Sequence, residues 1–332
     1  MPVRNGARWL RAAIDSVRDQ TLRDLELVIV DDGSDDDTVH LLEQIARGDE
    51  RVRVLSQPPL GIVAALNLGI AAARAPYLAR LDADDVARPD RLALQLAFIE
   101  RHDRLDLVGS AARVIDASGA VIGRIAPPTG PGKLMRHLHR GNPFVHSSVM
   151  MRAEAVRRAG GYRRAFGAAE DYDLWLRMAE NGGIVNLPER LVALRRHDAS
   201  ISRRNAVRQS FSVRLAQRSA AARRSGADDP AASLAEPPDW WGAEAETAFF
   251  ATDVGFYRFL DSDRTTAPKY MAAVERRLFD LNHVERKLAQ ARLGEMLDRT
   301  GHGPARLRVA ALIAALHPGR ALAIAWRASF AR

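Results

Sequence analysis

Residues 25–102 restrict this chain more than any other stretch, because strand-length apolar runs alternate there with helix-period segments. Residues 25–30 read as a buried strand, 38–46 as a helix, 52–55 as a short strand and 61–74 as a helix. An apolar run at 75–79 then leads to Asp82, and Pro89 opens a helix reaching residue 102. Ahead of them, Ala7, Leu10, Ile14 and Val17 give residues 7–19 helical spacing. Such alternation predicts an α/β fold with a parallel, doubly wound sheet and helices on both faces. Ligands of these sheets bind at the carboxyl ends of the strands. Two acidic turns fall at such ends, Asp31-Asp32-Gly33-Ser34-Asp35 and Asp82-Ala83-Asp84-Asp85.

The second turn carries the stronger chemical signal. If the strand runs on to Asp82, period-2 alternation points Asp82 and Asp84 to one face. Two carboxylates that close repel unless a cation lies between them. Hard oxygen donors in a chain without cysteine favour Mg2+ or Mn2+ over Zn2+. Such an ion keeps waters and bridges to substrate phosphates. An isolated Asp-x-Asp reads equally as a solvated acidic turn; the remaining motifs decide between the two.

The absence of cysteine excludes disulfides and thiolate catalysis. The net charge of +8 invites a nucleic-acid reading, yet all but three of the 49 basic residues are arginine. The charge is also uneven: residues 1–100 are net acidic and the excess of arginine lies beyond them. No basic, aromatic-interleaved strand of a nucleic-acid module is present, so no nucleic-acid partner is expected. No apolar run reaches the roughly 20 residues of a membrane-spanning helix.

Past residue 102, residues 108–114 and 120–125 read as a hairpin turning at Ser118-Gly119, and 145–151 as a further strand. A helix over 170–181 carries Leu174, Trp175 and Met178 on one face, which places Trp175 in the core. Residues 191–195 are strand-like, 205–224 helical, 225–242 a loop, and 243–299 helical again.

Eight segments then stand in a familiar order. They are Pro2-Val3-Arg4-Asn5-Gly6, Ala13-Ile14-Asp15-Ser16-Val17 with Gln20-Thr21, Glu26 to Ser34, Ala65-Leu66-Asn67-Leu68-Gly69, Arg80 to Asp85, Pro89-Asp90-Arg91-Leu92, Gly141 to Ser148 and Glu170-Asp171-Tyr172. From residue 2 to about 202 the chain resembles glycosyltransferase family 2. The resemblance implies a GT-A fold and an inverting transferase that takes sugar from a nucleotide-diphosphate donor. It implies that Asp31 or Asp32 accepts a hydrogen bond from the base, the other closing the turn, while Pro2, Arg4 and Asn5 line the base pocket. Arg4 stands where many relatives have an aromatic, and a guanidinium can stack in its place. Asn67 and Arg80 are expected on the donor side. Asp84 would bind Mg2+ or Mn2+, Asp82 the ribose or the metal, and His197 the metal or diphosphate. Asp171 matches the general base, with Glu170 orienting it or capping the helix. Gly141, Asn142 and His146 fall at the acceptor or donor-sugar pocket. The acceptor is expected to be a saccharide or a lipid-linked glycan, the setting bacterial surface-polysaccharide or glycolipid assembly.

Three expectations concern the ends of the chain and the alternatives. Relatives carry an apolar strand just before the Pro2-like residue, so a strand is expected upstream of Met1, in a longer product or lost by truncation. Residues 1–202 are expected to form the catalytic domain and 203–332 a helical region. Within the latter, 305–330 is apolar with four arginines and no acid, a pattern for lying on an anionic membrane surface at the inner face of the cytoplasmic membrane or for packing on the protein. A nucleotidyltransferase is a second enzymatic reading, though Pro2 to Arg8 is not its Gly-rich basic loop. A non-catalytic nucleotide-binding scaffold is the third.

Overall fold

The computed structural model describes residues 1–197, 203–240, 251–262, 267–278, 280–297 and 304–316. Its strands are β1 (Pro2–Val3), β2 (Leu27–Asp31), β3 (Val52–Ser56), β4 (Tyr77–Ala79), β5 (Val86–Ala87), β6 (Leu105–Ile115), β7 (Val121–Ile125), β8 (Met150–Arg152) and β9 (Gly183–Arg195). The helices of the first 200 residues are α1 (Ala7–Arg18), α2 (Thr38–Gly48), α3 (Ile62–Ala72), α4 (Arg91–Glu100), α5 (Pro131–Leu138), α6 (Ala153–Arg158) and α7 (Glu170–Ala179). Helices α8 (Arg203–Arg224), α9 (Ala251–Asp261), α10 (Met271–Arg277), α11 (His283–Leu297) and α12 (Pro304–Leu316) follow.

The strands form two sheets rather than one doubly wound sheet. β1, β2 and β3 are parallel neighbours, with Pro2 opposite Val30 and Leu27 opposite Val52. The larger sheet runs β4-β8-β6-β9-β5, with β7 hairpinned onto β6. Only its β6–β9 pair is parallel. The alternation predicts the helices and strands β2, β3 and β4 but not β1, and the mixed sheet arises because β8 enters between β4 and β6 in reverse.

Burial follows the periodicities. Leu10, Ala13 and Ile14 of α1 are fully buried against Ile29 of β2 and Leu42 of α2. Gln20, just past α1, is buried as well; its amide donates to the Ser16 and Arg88 carbonyls and accepts from Leu92 N–H. One side chain thereby fixes the end of α1 to the start of α4. β1 and β4 are not paired with each other. Between the two sheets lies an apolar cleft of about 670 Å³, lined by Met1, Val28, Val30, Leu66, Leu78 and Met150 among others. The Met1 amine donates to the Val28 carbonyl at 2.9 Å. Burial, with Arg80 adding to it, lowers that amine to about 5.

The chain forms two compact units, Met1–Ala199 with Ala216–Glu236, and Ser200–Leu215 with Pro237–Arg332. In the first, Asp229 accepts from both Arg163 and Arg223, and Arg223 also reaches Glu180, which ties the 216–236 segment to α7 and its approach. In the second, buried Glu285 accepts from Arg214, Arg277, the Tyr257 hydroxyl and the Asn282 N–H. The apolar residues of α12 (Val309, Leu312, Ile313 and Leu316) are buried within that unit. The rest of the 305–330 segment, from residue 317, lies outside the described residues. No helix among the described residues is long and apolar enough to cross a membrane.

Candidate active site

The first wall of the site is built where β1 and β2 end together. Asn5 sits at φ +54°, a left-handed position that asparagine tolerates. There its side chain exchanges two hydrogen bonds with Asp35, and its N–H donates to the Ser34 hydroxyl. Residues 2–5 and the turn after β2 are thus one wall, with Arg4 exposed on it. Gly33 at φ +71° passes so close to Pro59 that a Cβ would stand 2.8 Å away. The two aspartates of the turn divide their work. Asp32 accepts from the Gln57 amide and from the N–H groups of Leu60 and Gly61, holding the loop before α3. Among the described residues the Asp31 carboxylate makes only long contacts, to Ser34 N–H at 3.3 and 3.4 Å. Of the pair, Asp31 keeps more acceptor capacity for a ligand.

The second acidic turn differs from a strand continuation. β4 ends at Ala79, and residues 82–85 form a turn closed by Asp85 N–H to the Asp82 carbonyl at 3.3 Å. The alternation that would place Asp82 and Asp84 on one face therefore does not operate, yet the turn still gathers the groups. Carboxylate oxygens of Asp82, Asp84 and Asp85 lie within 4.8 Å of one another. Arg80 is buried beneath them, its guanidinium forked onto the Asp82 carboxylate and donating to Ser147 Oγ. Arg80 therefore acts as an internal counter-charge to Asp82, and its terminal nitrogens face the turn.

Asp85 is buried, bonded to the Ser147 hydroxyl and to Arg195 N–H. Burial and the neighbouring Asp82 push it up to about 7. Asp84 is one-third exposed and faces His197, Nε2 to Oδ2 3.2 Å. Hard oxygens with one imidazole nitrogen suit Mg2+ or Mn2+. The residues present fit such an ion, with Asp84 and His197 as the donors not already held by arginine or serine.

The third element is the start of α7. Asp171 receives a hydrogen bond from its neighbour Tyr172 N–H at 2.7 Å and one from Asn142 Nδ2 at 2.6 Å. The Asn142 amide is itself oriented, because its oxygen accepts from Phe144 N–H. Burial raises Asp171, while the two bonds and Arg80 hold it down against Asp82. Glu170 is buried, and burial with the Asp171 charge raises it to about 7.

His146 is half-buried, bonded to the Tyr162 hydroxyl at 2.9 Å and edge-on to Trp175. Burial, with Arg80, pushes it well below its ordinary value, so it is a neutral group here. Trp175 is fully buried among Phe144, His146 and Tyr162, as core. Gly141 has open space around it and meets no steric demand.

Asn67 stands apart from the expected donor contact. Its amide donates to the Tyr162 carbonyl and accepts from Tyr162 N–H, pinning a segment 95 residues away. Four side chains of the site escaped the sequence reading: Trp9, Ser147, Tyr162 and Arg195. Ser147 lies inside the quoted His146-Ser147-Ser148 segment and Arg195 directly before Arg196-His197, which are the signals available for those two.

Residues 1–159 match the family description Glycosyl transferase family 2. EpsE of Bacillus subtilis (strain 168) is 35% identical over 210 residues, covering 62% of this chain and 74% of EpsE. The O-antigen biosynthesis glycosyltransferase WbnJ of Escherichia coli is 31% identical over 204 residues, covering 60% of this chain and 79% of WbnJ. The chain belongs to glycosyltransferase family 2. Solved structures agree on the architecture. TarS 1-349 of S. aureus, in complex with UDP-GlcNAc, superposes with a TM-score of 0.57 at 14% identity, covering 98% of this chain and 90% of that one. The mannosyltransferase PcManGT from Pyrobaculum calidifontis, in complex with GDP-Man and Mn2+, gives 0.52 at 16%, covering 97% and 85%. This glycosyltransferase has the GT-A fold.

Proposed function

We propose that this glycosyltransferase inverts the configuration of the sugar it moves, depends on a divalent cation, and glycosylates a saccharide or lipid-linked acceptor during assembly of a bacterial surface polysaccharide. The observation that carries the reading is Asp171: a half-buried carboxylate at a helix start, aimed by Asn142 and within electrostatic reach of Arg80 and Asp82. Its oxygens are oriented, and desolvation raises its affinity for a proton, the direction a general base needs. In the proposed reaction Asp171 takes the proton of the acceptor hydroxyl as that oxygen attacks the anomeric carbon. The nucleoside diphosphate departs from the opposite face, so one displacement inverts the centre and no enzyme nucleophile is required. A cation held by Asp84 and His197, with Asp82 alongside, would neutralise the diphosphate as it leaves. Pro2, Arg4, Asn5 and Asp31 would receive the base, and Arg80 keeps Asp82 in place.

The pathway part rests on the kinds of relatives: WbnJ is an O-antigen enzyme, and the chain is also 30% identical to the amylovoran biosynthesis glycosyltransferase AmsE of Erwinia amylovora. Asp171→Asn tests the catalytic core of the proposal. Turnover is expected to fall by about 10²–10⁴-fold, while the nucleoside diphosphate still binds. A variant that keeps wild-type turnover would remove Asp171 from the base role.

A further inference from the structure

His197 stands two residues beyond the end of β9, and its side chain is one-third exposed. Its Nε2 meets Asp84, and among the described residues one aromatic ring lies against the imidazole. What fixes it is Trp9. The indole lies parallel to the imidazole, ring centres 4.5 Å apart and planes 22° apart.

Trp9 is braced in turn. The Arg8 guanidinium lies 4.6 Å from its ring centre and the Arg195 guanidinium 5.7 Å. Its Nε1 points to the Ala117 carbonyl at 3.4 Å. Arg195 closes the bracket on the other side, donating from Nε to the Asp84 carbonyl at 2.9 Å and from its N–H to Asp85 Oδ1 at 2.8 Å. The buried face of α1 is Leu10, Ala13 and Ile14, so Trp9 is not one of that helix's core residues.

We propose that Trp9 is a positioning residue for the cation site: by stacking on His197 it holds the imidazole against Asp84 and so sets the affinity for the divalent ion. The inference rests on the reading that Asp84 and His197 hold that ion. Trp9 touches neither the carboxylates nor, by this assignment, the donor. It is the third residue of α1, directly after the 2–5 segment of the base wall. One helical turn therefore joins the base wall to the histidine, and seating the nucleotide and seating the ion become coupled.

The test measures Mn2+ dissociation by electron paramagnetic resonance on the full chain, with whichever of UDP, GDP or dTDP binds most tightly. Wild type is compared with Asp84→Ala, Trp9→Phe, Trp9→Leu, His197→Ala and the Trp9→Leu/His197→Ala double variant. Trp9→Leu is expected to weaken Mn2+ by roughly 2- to 13-fold, the range of an aromatic stack. Trp9→Phe, which can still stack, is expected to stay within about twofold. In the His197→Ala background, Trp9→Leu is expected to add nothing, which a purely structural role would not produce. If Trp9→Leu does not fold, Trp9→Phe with and without His197→Ala carries the same comparison: a loss above about fivefold in both backgrounds overturns the inference. Unchanged Mn2+ affinity in Trp9→Leu, or an equal loss with and without His197, overturns the positioning role and leaves the cation site standing. Absence of Mn2+ binding by wild type, or binding unaffected by Asp84→Ala, overturns both.

Discussion

Replacing Asn142 by alanine removes the one side-chain hydrogen bond made to Asp171 among the described residues. That bond is 2.6 Å long, and the Asn142 amide is held in its donating orientation because its oxygen accepts from Phe144 N–H at 3.0 Å. A hydrogen bond to a charged group contributes about 1.5–3 kcal/mol. One pH unit corresponds to about 1.4 kcal/mol, so full loss raises Asp171 by roughly one to two units. Asn142 is only half-buried, and water entering the space recovers part of the loss, which favours the lower end, about one unit. The remaining influences are unchanged in the variant: burial and Asp82 still raise the group, and Tyr172 N–H and Arg80 still lower it. A base must be deprotonated to act, so activity is lost as pH falls through its value. Raising that value moves the acid limb of kcat/KM upward by about one unit. Asn142→Asp, which sets a like charge against Asp171, should move it further in the same direction. The assay is release of nucleoside diphosphate across pH 5–9, with melting curves to confirm folding. An acid limb that stays in place in a folded Asn142→Ala, or moves downward, would refute the reasoning.

Gly109→Ala should cost about 1–3 kcal/mol, since the new methyl would stand 2.3 Å from Asn186 Oδ1 and 2.5 Å from Phe144 Cδ1, both on buried residues. Gly141→Ala, in open space, is the control; equal melting temperatures for the two variants would contradict this. The Met1 amine, lowered to about 5 from an ordinary 8, binds its proton more readily in the unfolded chain between those values, so stability should climb as pH rises through that window. At pH 7 the burden is about 1.4 kcal/mol. Extending the chain upstream by a short apolar strand turns the amine into an amide and offers apolar groups to the cleft beside β2. The extended chain should therefore melt higher, with the larger gap at pH 6.5 than at 8.5; identical melting at both would count against it. For the proposed membrane contact of residues 305–330, flotation with anionic liposomes should recover the full chain and not a chain ending at residue 316; equal recovery would end that idea.

The sequence disclosed what is periodic and local. Leu10, Ala13 and Ile14 announce α1 because they repeat with the helix, and Leu27 to Val30 announce β2 because every one of them is apolar. The two acidic turns were legible as short polar runs after apolar strands, whereas Asp171 was legible only through the resemblance to the family. What stayed hidden are the partners across long separations. Asn67 looked like a donor contact, but its amide belongs to Tyr162. Arg80 was expected on the donor side, and no local pattern indicated that it would be buried on Asp82 and Ser147, the latter 67 residues away. Residue spacing carries no trace of such pairings, and for the same reason it could not show that β8 would turn the second sheet antiparallel.

The match to the family description ends at residue 159, but the fold does not divide there. β9 lies between β6 and β5, is the strand β5 pairs with, and forms the parallel ladder with β6 along most of its length. A fragment stopped at 159 would present β6 and β5 as raw edges, with Asn67 deprived of its backbone partner and His146 of Tyr162. The segment that the family description matches thus owes part of its sheet to residues that this match does not include.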